Sequence, residues 1–208
     1  MARSFNGSSE YIDLISNFGL VEPMTFAARF NPANVSVSGT MVGLVDVSVQ
    51  DAFSLFYFGD NTAAVQSQDA GVSTGTAASG ATGATVGNWY GAIGNFISST
   101  SRAVYFSGGT SGTNTTSATP TAMYKVRIGQ RNGIWYNGSL ADVAGWSVSL
   151  TADERDAYFK GFPARRIRPQ SLKFHMPMVR NLTLNPTGPS VIADFSSAVS
   201  DQPRMYGR

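Results

Sequence analysis

The sequence contains no cysteine and a single histidine. Without thiols there is neither a disulfide framework nor a thiolate metal site, so strand pairing and core packing must hold the fold together. The lone histidine, His175, lies between Phe174 and Met176. A hydrolytic triad or an imidazole metal centre needs further partners, and neither G-x-S-x-G nor H-E-x-x-H occurs. His175 therefore reads as a packed side chain, and no cofactor or metal is expected. No run of 18 apolar residues is present, and the start Met1-Ala2-Arg3-Ser4-Phe5-Asn6-Gly7 lacks the apolar stretch of a signal peptide. That predicts no membrane partner and a chain made and kept in a cytosol. Charged residues are also sparse, at 13%. With 42% hydrophobic and 12% aromatic residues, the composition excludes a disordered polyelectrolyte.

What the chain has instead is Gly, Ser, Thr, Ala and β-branched residues, with almost no Glu/Lys/Leu-rich stretches; this composition is all-β. Period-2 alternation marks short strands. Phe26, Ala28 and Phe30 share one face; Met41, Val45, Val47 and Val49 a second; Phe53, Leu55 and Tyr57 a third. Val104 and Phe106, then Tyr124, Val126 and Ile128, mark two more. Asn6-Gly7, Asn132-Gly133 and Asn137-Gly138 are pairs suited to the positive φ of tight hairpins. The Gly71 to Gly87 stretch has the composition of a flexible linker but is read as a weak edge strand around Val72 to Ala77. The Ser107 to Pro120 stretch is read as an exposed hairpin tip.

One helix is predicted. Thr151-Ala152-Asp153-Glu154 is a capping box, Ala157, Tyr158 and Phe159 follow, and Gly161 and Pro163 are stop signals. Beyond it the texture changes: six of the nine prolines fall in residues 163–208. Charge divides at the same place. Residues 1–156 carry seven Lys/Arg against eleven Asp/Glu, whereas residues 157–193 carry six basic residues and no acidic one. Prolines at that density do not fit central strands, so the reading is a domain over 1–162 and an extended arm over 163–208, with one strand at Leu172, Phe174 and Met176.

Several segments resemble the laminin-G/concanavalin A-like family. Ser4-Phe5-Asn6-Gly7-Ser8-Ser9-Glu10-Tyr11-Ile12 looks like its opening strand and Met24-Thr25-Phe26-Ala27-Ala28-Arg29-Phe30-Asn31-Pro32 like its second. Asn88-Trp89-Tyr90-Gly91-Ala92 and Arg102-Ala103-Val104-Tyr105-Phe106 are similar to two central strands. Gly138 to Trp146, followed by Leu150-Thr151-Ala152-Asp153-Glu154, is similar to the last core strand and its helix. The resemblance covers roughly residues 3–161 and implies a jelly-roll β-sandwich of this type with one short helix. It departs at Ser107-Gly108, where the family has Asn-Gly, and at Tyr90, where it has His. The tail from Ile167 to Arg204 resembles extensions on phage and prophage structural proteins. That likeness implies a non-enzymatic virion protein, most simply a capsid decoration protein forming homo-oligomers on the major capsid protein or another virion component.

Glycosidases on such a sandwich need acid and nucleophile carboxylates flanking one bond. The nearest acidic group, Asp153, Glu154 and Asp156, is instead a helix start suited to the macrodipole. No catalytic residue is expected. The alternative function is a glycan-binding host-recognition module of the tail or tail fibre, with Asp60, Asn61, Trp135, Tyr136 and Asn137 as candidate contacts. A rim calcium at Asp60 or Asp142 lacks an oxygen-ligand motif. The basic segment with Arg165, Arg166 and Arg168 is interleaved with Phe162, Ile167, Leu172, Phe174 and Met176, a mixture that suits protein docking better than nucleic-acid binding, so Arg165, Arg166, Arg168, Leu172, Phe174 and Met176 are the predicted partner contacts.

Overall fold

In a computed structural model, residues 2–78 and 83–178 are described, together with the backbone of residues 190–192. The fold is two packed seven-stranded sheets. One, sheet A, runs β1 (Arg3–Asn6), β14 (Asn137–Trp146), β3 (Met24–Pro32), β8 (Tyr90–Ser98), β9 (Ser101–Phe106), β10 (Ser111–Asn114), with β15 (Leu172–Met176) also on β14. The other, sheet B, runs β16 (Ser190–Ile192), β2 (Ile12–Leu14), β11 (Lys125–Ile128), β4 (Gly39–Val45), β5 (Ala52–Phe58), β6 (Thr62–Asp69), β7 (Val72–Ala78). A small hairpin, β12 (Gln130–Arg131) and β13 (Ile134–Trp135), turns at Asn132-Gly133, whose φ of 45° and 78° is the conformation such a pair tolerates. The all-β sandwich with one short helix is thus observed.

The core lies between the sheets. Phe26, Ala28 and Phe30 point inward from β3, and Phe30 meets the rings of Tyr57, Tyr90 and Phe106 at 5.5–6.0 Å. The outward side of sheet A is buried too. Ala27, Ile93, Ala144 and Trp146 pack under helix α1 (Ala152–Phe159) and the turn Ala164–Arg166 through Leu150, Tyr158, Ala164 and Ile167. The predicted capping box forms: Thr151 Oγ1 accepts from the Glu154 amide at 3.4 Å and Glu154 Oε2 from the Thr151 amide at 2.8 Å. Trp146 Nε1 donates to the Ile167 carbonyl at 2.8 Å, fixing the chain beyond the helix.

Four local expectations are corrected. Alternation in β4 stops at Val45, because the Asp46 carboxylate accepts the Gln50 and Asp51 amides and closes a turn; Val47 is exposed and Val49 has φ 61°. Tyr124 precedes its strand and is exposed. Asn137-Gly138 lies inside β14, where a Cβ on Gly138 would sit 2.3 Å from the Asn31 carbonyl; close approach, not a turn, requires glycine. Ser107 to Pro120 is more than a tip: it contains edge strand β10, and the buried Arg102 donates to Asn114 Oδ1 and the Thr116 carbonyl at 2.7 and 2.8 Å.

The boundary expected at residues 162/163 is also corrected. Residues 172–176 form β15 on β14, and Phe174, Met176 and Met178 enter the inter-sheet core. Phe174 contacts Phe26 and Phe18, and fits only because residue 145 is glycine: a Cβ there would lie 2.2 Å from its ring. Phe174 and Met176 are therefore not outward anchors, and Leu172 packs on the outer core under the helix. Arg168 pairs with Glu154 at 2.6 Å, while Arg165 and Arg166 stay exposed. Of the rest of the predicted arm, residues 179–189 and 193–208 lie outside the described residues.

Phe174→Ala should cost about 3–5 kcal/mol in denaturant unfolding, as for other buried aromatics, and a chain ending at Gly161 should lose cooperative unfolding. On β2, burial raises the Asp13 pKa, but Arg127 (2.6 Å) and Lys125 (2.8 Å) outweigh it and hold the carboxyl below its ordinary 3.8. A depressed folded pKa gives stability that is complete above 3.8 and declines as pH falls through the folded value. Asp13→Asn should therefore flatten the stability–pH curve below about pH 4.

Candidate functional site

The outward face of sheet A is only partly covered by α1. Where the helix ends, a groove of about 560 Å³ opens, lined by Trp89, Arg29, Asp142, Gly161, Pro163 and Pro177 among others. Alternation puts Trp89 on this face: Tyr90 turns inward to Phe30, so Trp89 and Gly91 point out. Trp89 is 49% exposed, a large aromatic surface left in solvent.

The groove floor is built on a β-bulge. The β14–β3 register shifts between Ala141 and Ala144, and Asp142 takes φ 50°. Its carboxylate is thereby re-aimed along the outer face. Oδ1 lies 2.7 Å from His175 Nε2, Oδ2 lies 3.4 Å from Arg29 Nε, and the Ala164 amide donates to Oδ2 at 3.1 Å. At 3.4 Å the Arg29 Nε contact is a charge pairing and not a hydrogen bond, consistent with that buried atom having no hydrogen-bond acceptor among the described residues. Arg29 Nη2 donates to the Tyr158 and Phe162 carbonyls at 2.8 and 2.9 Å, and its guanidinium lies 4.9 Å from the Tyr158 ring centroid. Burial, reinforced by Asp142, holds the Tyr158 phenol far above its ordinary pKa, so it stays a donor to the Asp142 carbonyl at 2.8 Å. Arg29 Nη1 makes no hydrogen bond among the described residues, and a Cβ on groove-lining Gly161 would lie 3.9 Å from it. The groove thus offers one exposed indole and one N–H-bearing edge of a guanidinium whose other contacts hold it still.

A second depression, of about 490 Å³, lies between β9–β10 and the helix. There the Arg155 guanidinium sits 3.7 Å over the Tyr105 ring and occupies that aromatic face.

The five residues predicted as glycan contacts lie elsewhere and carry structural roles. Asp60 and Asn61 form the β5–β6 turn, where Asp60 Oδ1 accepts from the Thr62 hydroxyl at 2.6 Å and Asn61 Oδ1 from the Tyr57 hydroxyl at 2.6 Å. Trp135 is half-buried against Tyr11 at 5.9 Å, Tyr136 is in the core, and Asn137 pairs with Asn6. Among the described residues no three His, Asp or Glu side chains converge as metal ligands, and the Asp142 lone pairs already meet His175, Ala164 and Arg29. Sequence reasoning missed the groove because its parts are dispersed: Arg29, Trp89, Asp142 and His175 share no motif. The only local trace is an exposed-strand tryptophan that reads equally well as core.

The family model described as the concanavalin A-like lectin/glucanases superfamily, Laminin_G_3, matches residues 6–154. The chain belongs to this superfamily. Among solved structures, this superfamily member is similar to the CBM40 domain of a Ruminococcus gnavus IT-sialidase bound to α2,3-sialyllactose. The TM-score is 0.57 at 12% identity, covering 76% of this chain and 97% of that one. A heptameric SAP-like pentraxin from Limulus polyphemus gives 0.54 at 20% identity, covering 71% and 76%. Domains LG4-5 of the mouse laminin α1 chain give 0.54 at 17%, covering 69% of this chain and 40% of that chain, so the match spans less than half of the laminin fragment. No curated protein matches. At these identities the likeness concerns the fold.

Asp142→Asn should keep the left-handed backbone conformation, which asparagine tolerates, while removing the charge that Arg29 and His175 face. The expected cost is about 1–3 kcal/mol, read as a lower melting temperature, with the far-ultraviolet circular dichroism unchanged.

Proposed function

We propose that this protein is a non-catalytic carbohydrate-binding domain that receives a saccharide in the groove at the end of α1. The observation carrying the reading is Trp89, a half-exposed indole beside an immobilised Arg29 in a depression of ligand size. An indole face covers the apolar C–H side of a sugar ring, while a guanidinium N–H bonds a hydroxyl or ring oxygen. The relative bound to sialyllactose lends the same fold to this reading. Catalysis is not part of it: glycoside hydrolysis requires two carboxylates flanking the bond, and Asp142, the one carboxylate lining this groove among the described residues, is engaged by His175, Ala164 and Arg29. Isothermal titration against a glycan panel tests it. Trp89→Ala should weaken the best binder at least tenfold, about 1.4 kcal/mol, with unchanged melting temperature. Binding that survives Trp89→Ala, or that is lost only in Trp135→Ala, would move the site elsewhere.

A second reading keeps the tailed-phage virion as the place of action, with the major capsid protein or another virion protein as partner. The features favouring it are Arg165 and Arg166, both exposed, beside the 53%-exposed Phe162. An apolar anchor flanked by arginines fits a protein surface bearing acidic groups. Replacing Arg165 and Arg166 together with glutamate should lower occupancy on particles, and more strongly at low salt, where the charges are least screened. Full occupancy by this variant would remove the reading.

A further inference from the structure

The outward face of sheet B, on the opposite side of the sandwich from the groove, carries a separate polar constellation. Register sets it out as a grid: Thr40 faces Phe56, Gly43 faces Ser54, Ser54 faces Gln66, and Ala52 faces Gln68. Over this grid the β12–β13 hairpin lays Arg131. Its guanidinium is 4.7 Å from the Phe56 ring centroid, and Nη2 donates to Gln66 Oε1 at 2.6 Å. Gln66 in turn donates to Thr76 Oγ1 at 3.0 Å, so its orientation is fixed.

Arg131 is 2% exposed, and its Nε and Nη1 have no hydrogen-bond partner among the described residues. The same is true of Gln68 Nε2, Ser54 Oγ and Thr40 Oγ1, which are equally buried. Each of these atoms is an N–H donor or belongs to a hydroxyl that can donate. No carboxylate among the described residues pairs with Arg131, and burial alone lowers its pKa to about 10, which still leaves it charged at neutral pH. A buried cation without a counter-charge is unfavourable, and its natural complement is an anion that takes charge-assisted hydrogen bonds. Cross-strand neighbours lie about 5 Å apart and same-face residues along a strand about 7 Å, so Ser54 and Gln68 both border Gln66, to which Arg131 is bonded, and can reach one small ligand with it, whereas Thr40, opposite Phe56, is two strands away from Gln68.

We propose that Arg131, Gln68 and Ser54 form a binding site for a small oxyanion, either carboxylate or phosphate, beneath the β12–β13 hairpin. The site is independent of the Trp89 groove, and its test does not involve saccharide binding there.

The arginine Nε–Hε signals of the full chain are followed by proton–nitrogen NMR during separate titrations with sodium acetate and sodium phosphate. Arg131→Lys identifies the Arg131 signal, and Arg131→Gln controls for general salt effects on melting. The expected result is a saturable shift of the Arg131 signal with a millimolar midpoint and a rise in melting temperature that Arg131→Gln lacks. Gln68→Leu, which keeps the charge but removes one donor, should raise the midpoint several-fold. A response to acetate alone assigns a carboxylate ligand, and a response to phosphate alone assigns a phosphate. No saturable shift of Arg131 with either salt, or an equal melting response in Arg131→Gln, overturns the proposal; where Arg131→Lys fails to fold, backbone-correlated assignment of the unsubstituted chain identifies the same signal.

Discussion

The bulge in β14 at Asp142 is the constraint on which most of sheet A depends. A strand of ten residues must pair with β3 along one edge and with two partners in succession along the other, β1 through residues 137–140 and β15 through residues 143–146. The register shift between Ala141 and Ala144 separates these two pairings and turns the Asp142 carboxylate to where Arg29, His175 and Ala164 arrive from three other segments. One left-handed residue thus ties β3, β15 and the post-helix turn to the same point. The strain of that backbone is offset by the ion pair and hydrogen bonds it makes possible.

Burial of sheet A on both faces follows from the same tie. Because the chain after the helix is held at Asp142 and by the Trp146–Ile167 hydrogen bond, it covers Ala27, Ile93 and Ala144, and even the polar Thr25 and Asn95 beneath it are satisfied: Thr25 Oγ1 reaches the Val148 carbonyl at 2.7 Å and Asn95 Nδ2 the Leu150 carbonyl at 3.1 Å. Covering stops at Gly161 and Pro163. Beyond them the sheet face is open, and there Trp89 stands in solvent. The groove is a by-product of where the helix ends, on a face whose flanking side chains are held rigid by the second core.

Membership in the concanavalin A-like superfamily accounts for the sandwich but not for either site. The solved structures at 12–20% identity are similar in fold, with TM-scores of 0.54–0.57, whereas the places of Trp89, Asp142 and Arg131 are set by this chain's own register and loops. Function on a common fold resides in such grafted side chains, so the saccharide reading rests on the groove and the oxyanion site on a donor set.

The amino-acid sequence by itself determined the fold class, the strands with clean alternation such as Phe26 to Phe30 and Phe53 to Tyr57, the Asn132-Gly133 turn and the capped helix. These depend on neighbours within a few residues, where periodicity, turn chemistry and capping act. Tertiary structure alone decided that residues 163–178 complete the core, because proline-rich segments look like arms unless one knows that Gly145 leaves space for Phe174. It also decided which aromatic is free. Trp89 and Trp135 look alike in sequence, and only the end of α1 and the tilted contact of Tyr11 with Trp135 distinguish them. Residues 33 apart, Asp142 and His175, or 65 apart, Gln66 and Arg131, meet through sheet register, and no local pattern in the chain encodes a contact over such a separation.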